Sequence, residues 1–200
     1  SRACREAGTL LIVDEVQSGF GRTGKRWAHQ HFGIKPDILC AAKPLAGGLP
    51  FAATFARGDV MAALKRGEHS NTFGGNPLAG KVAIAALEVV KEEKLAEKAE
   101  RLGKIFRDEM KAVKSDMIEL VRGKGLLNAI VIRPKNGKEA WDVCLAMMEL
   151  GVLAKPTHGH IIRFAPPLVI TEEQLRDAIT IINNLNKLVL RILNCKRTNV

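Results

Sequence analysis

The sequence contains no tyrosine, and aromatic residues make up only 4% of its 200 positions. A chain so poor in flat side chains offers no platform on which nucleic-acid bases stack. Cysteine is sparse: Cys4, Cys40, Cys144 and Cys195 lie far apart and form no CxxC pair. That excludes a zinc ribbon and a dithiol redox site. Scattered cysteines fit a reducing compartment, where a buried thiol acts as a small hydrophobe. No apolar run approaches the ~18 residues that a membrane-spanning helix needs.

The composition is globular, with 46% hydrophobic and 26% charged residues, which excludes a disordered or collagen-like chain. The length suits one ordinary domain or one and a half small ones. Lys and Arg outnumber Asp and Glu by 31 to 21, a net charge of +10. That balance favours phosphates, carboxylates or nucleic acid as partners. The positive charges are dispersed through helical segments, which disfavours nucleic acid. The chain opens in mid-motif: residues 1–8 read as the last turn of a helix stopped by Gly8. There is no initiator Met, apolar signal core or Arg/Ser-rich presequence, so it reads as a piece of a longer polypeptide.

Up to about Gly75 the texture is α/β. Leu10–Val13 is an all-apolar run ending at Asp14, the pattern of a strand buried on both faces. Ile38–Ala42, entered through Lys35-Pro36-Asp37, and Phe51–Phe55 are two more strands. Loops rich in Gly, Arg and Thr (Ser18–Gly24, Pro44–Pro50, Gly67–Pro77) separate them, which predicts an open sheet carrying a ligand site. From Pro77 the period becomes helical, with Leu95, Ala99, Leu102, Phe106, Met110 and Val113 on one face and a break near Glu93. Val121–Gly125 reads as a turn, Leu126–Ile132 as a strand, Gly137–Leu150 as a helix and Ile161–Phe164 as a strand ended by Pro166-Pro167. Thr171 and Gln174 form a capping box. It opens a final helix marked by Leu175, Ala178, Ile179, Ile182, Leu185, Val189 and Ile192. The expected domains are residues 1–115 and a smaller α+β domain of residues 116–200.

Four segments carry chemistry. Asp14 stands at the carboxyl end of an apolar strand, where open α/β sheets hold ligands; a ligand contact, a helix cap and an ion pair with Arg22 all remain open. Lys43 is the sole charge between Ile38 and Ala56. Apolar surroundings disfavour its ammonium form and make it a usable nucleophile or base, as Schiff-base chemistry requires; a snorkelling lysine is the alternative. Gly47 and Gly48 behind it let backbone approach a flat ligand. The polar loop Glu68–Pro77 suits a phosphate, or serves only to cap a helix. Arg163, inside an apolar strand, calls for a carboxylate ligand or a buried Glu partner. His158 and His160 read as loop histidines. An acid, a lysine, a hydroxyl loop and a late arginine together make the set that a pyridoxal 5′-phosphate site needs.

The segment Val13-Asp14-Glu15-Val16-Gln17-Ser18-Gly19-Phe20-Gly21-Arg22-Thr23-Gly24 resembles the signature of the class III (subgroup II) aminotransferases. Lys35 to Asp37, Lys43 and Gly47-Gly48 are similar to that family's lysine segment. The resemblance runs to about Lys187. Arg122–Ile130, Leu153–Gly159 and Ile161–Leu168 look like the ornithine δ-aminotransferase group. His29–Gly33 and Leu49–Phe51 look more like acetylornithine or 4-aminobutyrate aminotransferases. The resemblance implies fold type I: a large, mostly parallel mixed sheet with helices, and a small C-terminal α+β domain. It implies that Asp14 would pair with the cofactor's pyridine nitrogen and Gln17 with its phenolic oxygen. Lys43 would form the Schiff base and carry the proton of the 1,3-shift. Thr72 would reach the phosphate of a neighbouring subunit's cofactor in a homodimer, and Arg163 would hold a substrate carboxylate.

The implied reaction moves the side-chain amino group of ornithine to 2-oxoglutarate, in the mitochondrial matrix or the cytoplasm, with no nucleic acid, membrane or metal involved. Family chains are about twice this long, and the other half would carry the phosphate loop and the stacking aromatic. The chain alone is therefore expected to be a poor enzyme, or a truncated half acting as a dimerising or binding module. Pro44 departs from the small residue usual after the lysine, and it disfavours helical geometry at Lys43.

Overall fold

Gly8 ends the first helix by taking a left-handed φ of 63°, a conformation that a Cβ disfavours. Helix α1 (Arg2–Glu6) thus gives way to strand β1 (Ile12–Asp14). The structure, a computed structural model, describes residues 2–69, 71–135 and 137–194, with side chains as far as residue 184. It forms two compact units, Ser1–Ala99 and Glu100–Val200. The division falls inside one helix, ahead of the 115/116 boundary expected from sequence.

In the first unit β1 pairs in parallel with β2 (Ile38–Ala41), and β2 pairs antiparallel with β3 (Ala53–Ala56). Asp37 ties the three together. Its carboxylate accepts the Leu11 N–H at 2.8 Å and bonds the Arg57 guanidinium, while its N–H donates to Leu11 O. The expectation that the first strand is buried on both faces is not met. Leu10 is 48% and Ile12 60% exposed, and β1 is an edge strand of this sheet among the described residues. Helix α2 (Gly58–Met61) and helix α3 (Pro77–Glu92) follow. The helical run then breaks where the sequence expects, at Lys94, whose φ is 50°.

Helix α4 (Leu95–Ala112) leads into the second unit. The segment read as a turn at Val121–Gly125 is instead mostly strand: β4 (Ile118–Lys124) pairs antiparallel with β5 (Leu127–Ile132), and the turn lies at 125–126. The two glycines and two cations there mimic a loop composition, but Gly123 and Lys124 complete the ladder. Helix α5 (Ala140–Glu149) and strands β6 (Lys155–Thr157) and β7 (Ile161–Phe164) complete a sheet of order β4-β5-β7-β6. Helix α6 (Glu172–Asn194) starts at the expected capping box. Gln174 Oε1 accepts the Thr171 N–H at 3.0 Å, and Thr171 Oγ1 accepts the Gln174 N–H at 3.1 Å. The side chains of Leu185, Val189 and Ile192, and Cys195, lie outside the described residues.

Helix α4 closes on the β4–β5 turn so tightly that a Cβ on Gly103 would sit 1.7 Å from Gly125 O. Arg107 Nη1 donates to that same carbonyl at 3.0 Å and to Asn128 Oδ1 at 2.9 Å. The core beneath holds Leu102, Phe106, Met110, Ile130, Met147, Ile162 and Ile179, all buried. Among the described residues no helix is long and apolar enough to cross a membrane.

Candidate active site

Asp14 closes β1 in Cα register with Cys40, and Lys43 follows three residues later, just past the carboxyl end of β2. Parallel neighbours lie ~4.8 Å apart, so Asp14, the Gln17 turn and Lys43 leave the sheet at one edge, the carboxyl edge where open α/β sheets bind ligands. Asp14 Oδ1 accepts the Val16 N–H at 2.9 Å, an Asx-type turn. Asp14, Gln17 and Lys43 are all exposed. The idea that apolar neighbours enclose Lys43 is therefore corrected. Leu45 and Ala46 are buried in a cluster with Phe20, Ala41 and Ala83, but they anchor the turn from below and leave the amine open.

The turn itself is strained. Lys43 has a φ of 46°, a region that costs an L-residue with a Cβ about 1–2 kcal/mol and that is concentrated at functional sites. Pro44 at the next position keeps Lys43 out of right-handed helical geometry. Gly47, φ 57°, closes the Lys43–Ala46 turn by donating its N–H to Pro44 O.

Sequence reasoning missed Glu15. Its side chain is wholly buried and accepts from Ser18 Oγ at 2.7 Å, Ala28 N at 2.9 Å, His29 N at 2.8 Å and His29 Nδ1 at 3.1 Å. Burial works to raise its carboxyl, but these hydrogen bonds prevail and hold it below the usual carboxylate range. Glu15 thereby fixes the loop that begins at the Asp14–Gln17 turn. The available signal was an acid beside an apolar strand, followed by a glycine-rich loop with many amides to satisfy. Gly19 is required in that loop, since a Cβ there would lie 2.7 Å from the Trp27 ring.

The Glu68–Pro77 loop behaves as a helix cap. Asn76 Oδ1 accepts the N–H groups of Leu78 and Ala79, so two of the amides that head α3 are already engaged. Thr72 is exposed in the turn at 72–75, and Ser70 lies outside the described residues. Arg163 belongs to the second unit, on β7, and is exposed; the buried residue of that strand is its neighbour Ile162. A buried Glu partner, one of the two readings left open, is not what this arginine meets. His158 and His160 are exposed, and no cluster of metal-binding side chains occurs among the described residues.

An open α/β sheet with an acid and a lysine at the carboxyl ends of adjacent parallel strands, joined in sequence to an α+β unit, is the arrangement of pyridoxal-dependent transferases of fold type I. The Toxoplasma gondii ornithine aminotransferase, in a structure described with PLP at that protein's active site, superposes with a TM-score of 0.91 at 46% identity, covering 96% of this chain and 46% of that one. An acetylornithine aminotransferase from Elizabethkingia anophelis does so with a TM-score of 0.88 at 53% identity, covering 94% and 48%. Residues 1–185 match the aminotransferase class-III description. The chain belongs to the class III aminotransferase family.

Among curated relatives, the ornithine aminotransferase of Emericella nidulans is 53% identical over 182 residues, 90% of this chain and 40% of that protein. The mitochondrial ornithine aminotransferase of Rattus norvegicus is 51% identical over 181 residues, 90% and 41%. The chain spans about two-fifths of the length of these relatives.

Proposed function

We propose that the intact protein is a pyridoxal 5′-phosphate-dependent aminotransferase acting on ornithine. It transfers the side-chain amino group to 2-oxoglutarate and yields glutamate semialdehyde and glutamate. The register of β1 on β2 carries this reading, because it sets an acid and an amine at one sheet edge. Relatives about half identical over nine-tenths of the chain, those of Emericella nidulans and Rattus norvegicus among them, are named ornithine aminotransferases and support ornithine as the donor.

The donor set suits the cofactor: a carboxylate for a ring nitrogen, a carboxamide for a phenolic oxygen, and an exposed amine on a turn that two glycines leave uncrowded. When bound, the cofactor supplies an electron sink conjugated to the substrate's amine-bearing carbon. Asp14 would hold the ring nitrogen and keep its proton in place. Gln17 donates its side-chain amide to the phenolic oxygen. Lys43 Nζ would hold the cofactor and would act as the base that takes a proton from the substrate carbon and later gives it back. Arg163 grips a substrate carboxylate through two parallel N–H groups. Thr72 donates its hydroxyl to the phosphate in the neighbouring subunit of a homodimer. The mitochondrial matrix or the cytoplasm is the compartment; the rat and Drosophila melanogaster relatives are named mitochondrial.

Pyridoxal phosphate added to the intact polypeptide should give a visible absorption band that Lys43→Ala removes, with transamination falling at least about a thousandfold. A band that is absent, or unaffected by the substitution, overturns the proposal. The Elizabethkingia relative supports a second reading, acetylornithine as donor. A kcat/KM higher for acetylornithine than for ornithine would favour it. A band formed by the intact polypeptide but not by these 200 residues would make this chain a binding half.

A further inference from the structure

Two hydrogen bonds close the turn that carries Gln17, and both end on Glu15. Its carbonyl accepts the Gly19 N–H at 3.0 Å, and its carboxylate accepts the Ser18 hydroxyl at 2.7 Å. The Glu15 N–H donates to Cys40 O at 2.8 Å, on the strand that leads to Lys43. One residue earlier, the Asp14 carboxylate accepts the Val16 N–H inside the same turn. Glu15 is thus the point from which the exposed Asp14, Gln17 and Lys43 are set relative to one another.

The carboxylate has a second attachment. Oε2 also accepts the Ala28 N–H, and Oε1 accepts from both the backbone N–H and Nδ1 of His29. An ionised carboxylate only accepts, so His29 Nδ1 carries its hydrogen. His31 fastens the far end of the loop, with Nε2 2.9 Å from Thr23 O and 3.2 Å from Thr23 Oγ1. The turn Ala28–Phe32 therefore grips the 15–24 loop at both ends. Among the described residues the Glu15 side chain bonds nothing outside 18–29. An apolar side chain would fill that space at less cost than a buried carboxylate. What a fully satisfied polar network adds is one loop geometry in place of several.

We propose that Glu15 and His29 are positioning residues for the cofactor, acting on it through Asp14 and Gln17 without touching it. Glu15 is wholly buried, and each of its carboxylate oxygens already accepts two bonds, so no acceptor is left for a ligand. The clamp presents the carboxylate of Asp14 and the carboxamide of Gln17 together at the carboxyl edge of β1 and β2. Ordering of the turn is met on folding rather than on binding, and that raises affinity for a rigid, flat ligand. The proposal rests on the aminotransferase reading for the identity of that ligand.

Titration of the intact polypeptide with pyridoxal phosphate tests it, followed by the Lys43-dependent band well below each variant's melting midpoint. Glu15→Gln sets an amide against four donors and should raise the dissociation constant roughly thirtyfold. His29→Ala keeps the backbone donor and should raise it about fivefold; it carries the test if Glu15→Gln does not fold. His29→Asn, whose carboxamide nitrogen reaches the place of Nδ1, should restore most of the affinity. With Gln17→Ala already present, Glu15→Gln should add only about threefold, because residues that act through one another are not additive. In the cofactor-free protein the Gly19 amide should exchange about tenfold faster in both variants, with β5 amides unchanged. The clamp is overturned by unchanged cofactor affinity, by full additivity with Gln17→Ala, or by unchanged Gly19 exchange. The aminotransferase reading survives any of these results as long as wild type forms the band. Wild-type protein without the band removes the reading and the clamp together.

Discussion

The two units differ in how they bury themselves. In the second, large side chains fill the interior: Leu102, Phe106, Met110, Leu126, Ile130, Met147, Ile162 and Ile179 are all buried. In the first, much of the buried apolar set is alanine, as at Ala41, Ala46, Ala79, Ala83 and Ala99, while Leu10, Ile12, Phe55, Phe73, Leu78 and Ile84 are exposed. Apolar area removed from water is the main favourable contribution to folding, and an alanine removes little of it. The unit that carries the candidate cofactor residues is thus the less self-sufficient of the two. Its chemistry stands on a scaffold whose large hydrophobes have few partners within the unit.

The comparison can be broken most directly by hydrogen exchange. Amides of β5 and β7 should open at a cost about 3 kcal/mol above those of β1 and β2, roughly a hundredfold difference in exchange. Equal protection would refute the contrast. Next in size is Gly103→Ala, which forces a methyl into the Gly125 carbonyl. It should cost the second unit about 3 kcal/mol, read from denaturant unfolding, and leave exchange in β1 and β2 unchanged.

A smaller effect sharpens the picture of the first unit. Glu15→Gln keeps the shape but loses the charge that four donors share, and should cost about 2 kcal/mol at neutral pH. The Glu15 carboxyl is held below its usual range in the folded state, so its contribution is complete above the ordinary carboxylate pKa. It is lost as pH falls through the lowered folded value. Acid melts of wild type should therefore steepen in that window, and those of Glu15→Gln should be flatter; parallel curves would refute the assignment. Smallest is Asn76→Ala, which leaves the Leu78 and Ala79 amides without their side-chain acceptor. A loss of ~1 kcal/mol is expected from thermal melts.

Much of the second unit was legible because its signals are local. The Thr171–Gln174 box formed as read, and Ile161–Phe164 is a strand at the expected residues. Strand β6 went unread, since Lys155-Pro156-Thr157 has no apolar alternation and becomes a strand only by pairing with β7. The β4–β5 hairpin was misplaced for a related reason: Arg122-Gly123-Lys124 has the composition of a turn, and its ladder partners decide otherwise. In the candidate site the residue types at 14 and 43 were readable from the strand-end pattern, and Gln17 only through the family resemblance. The surroundings of Lys43 were not, because flanking apolar residues in sequence turned their side chains inward and left the amine outside.

The amino-acid order alone determined the helix stops at Gly8 and Lys94, the caps, the apolar periods and the family signature. Each of these acts through neighbours within a few positions, where backbone sterics and hydrogen-bonding geometry leave little choice. Tertiary structure alone decided that Glu15 is enclosed and that Arg122, Arg163 and Lys155 line up on one face. Those outcomes depend on which distant strands pair and in which register, and a shift of one residue would turn the row of charges to the opposite side of the sheet.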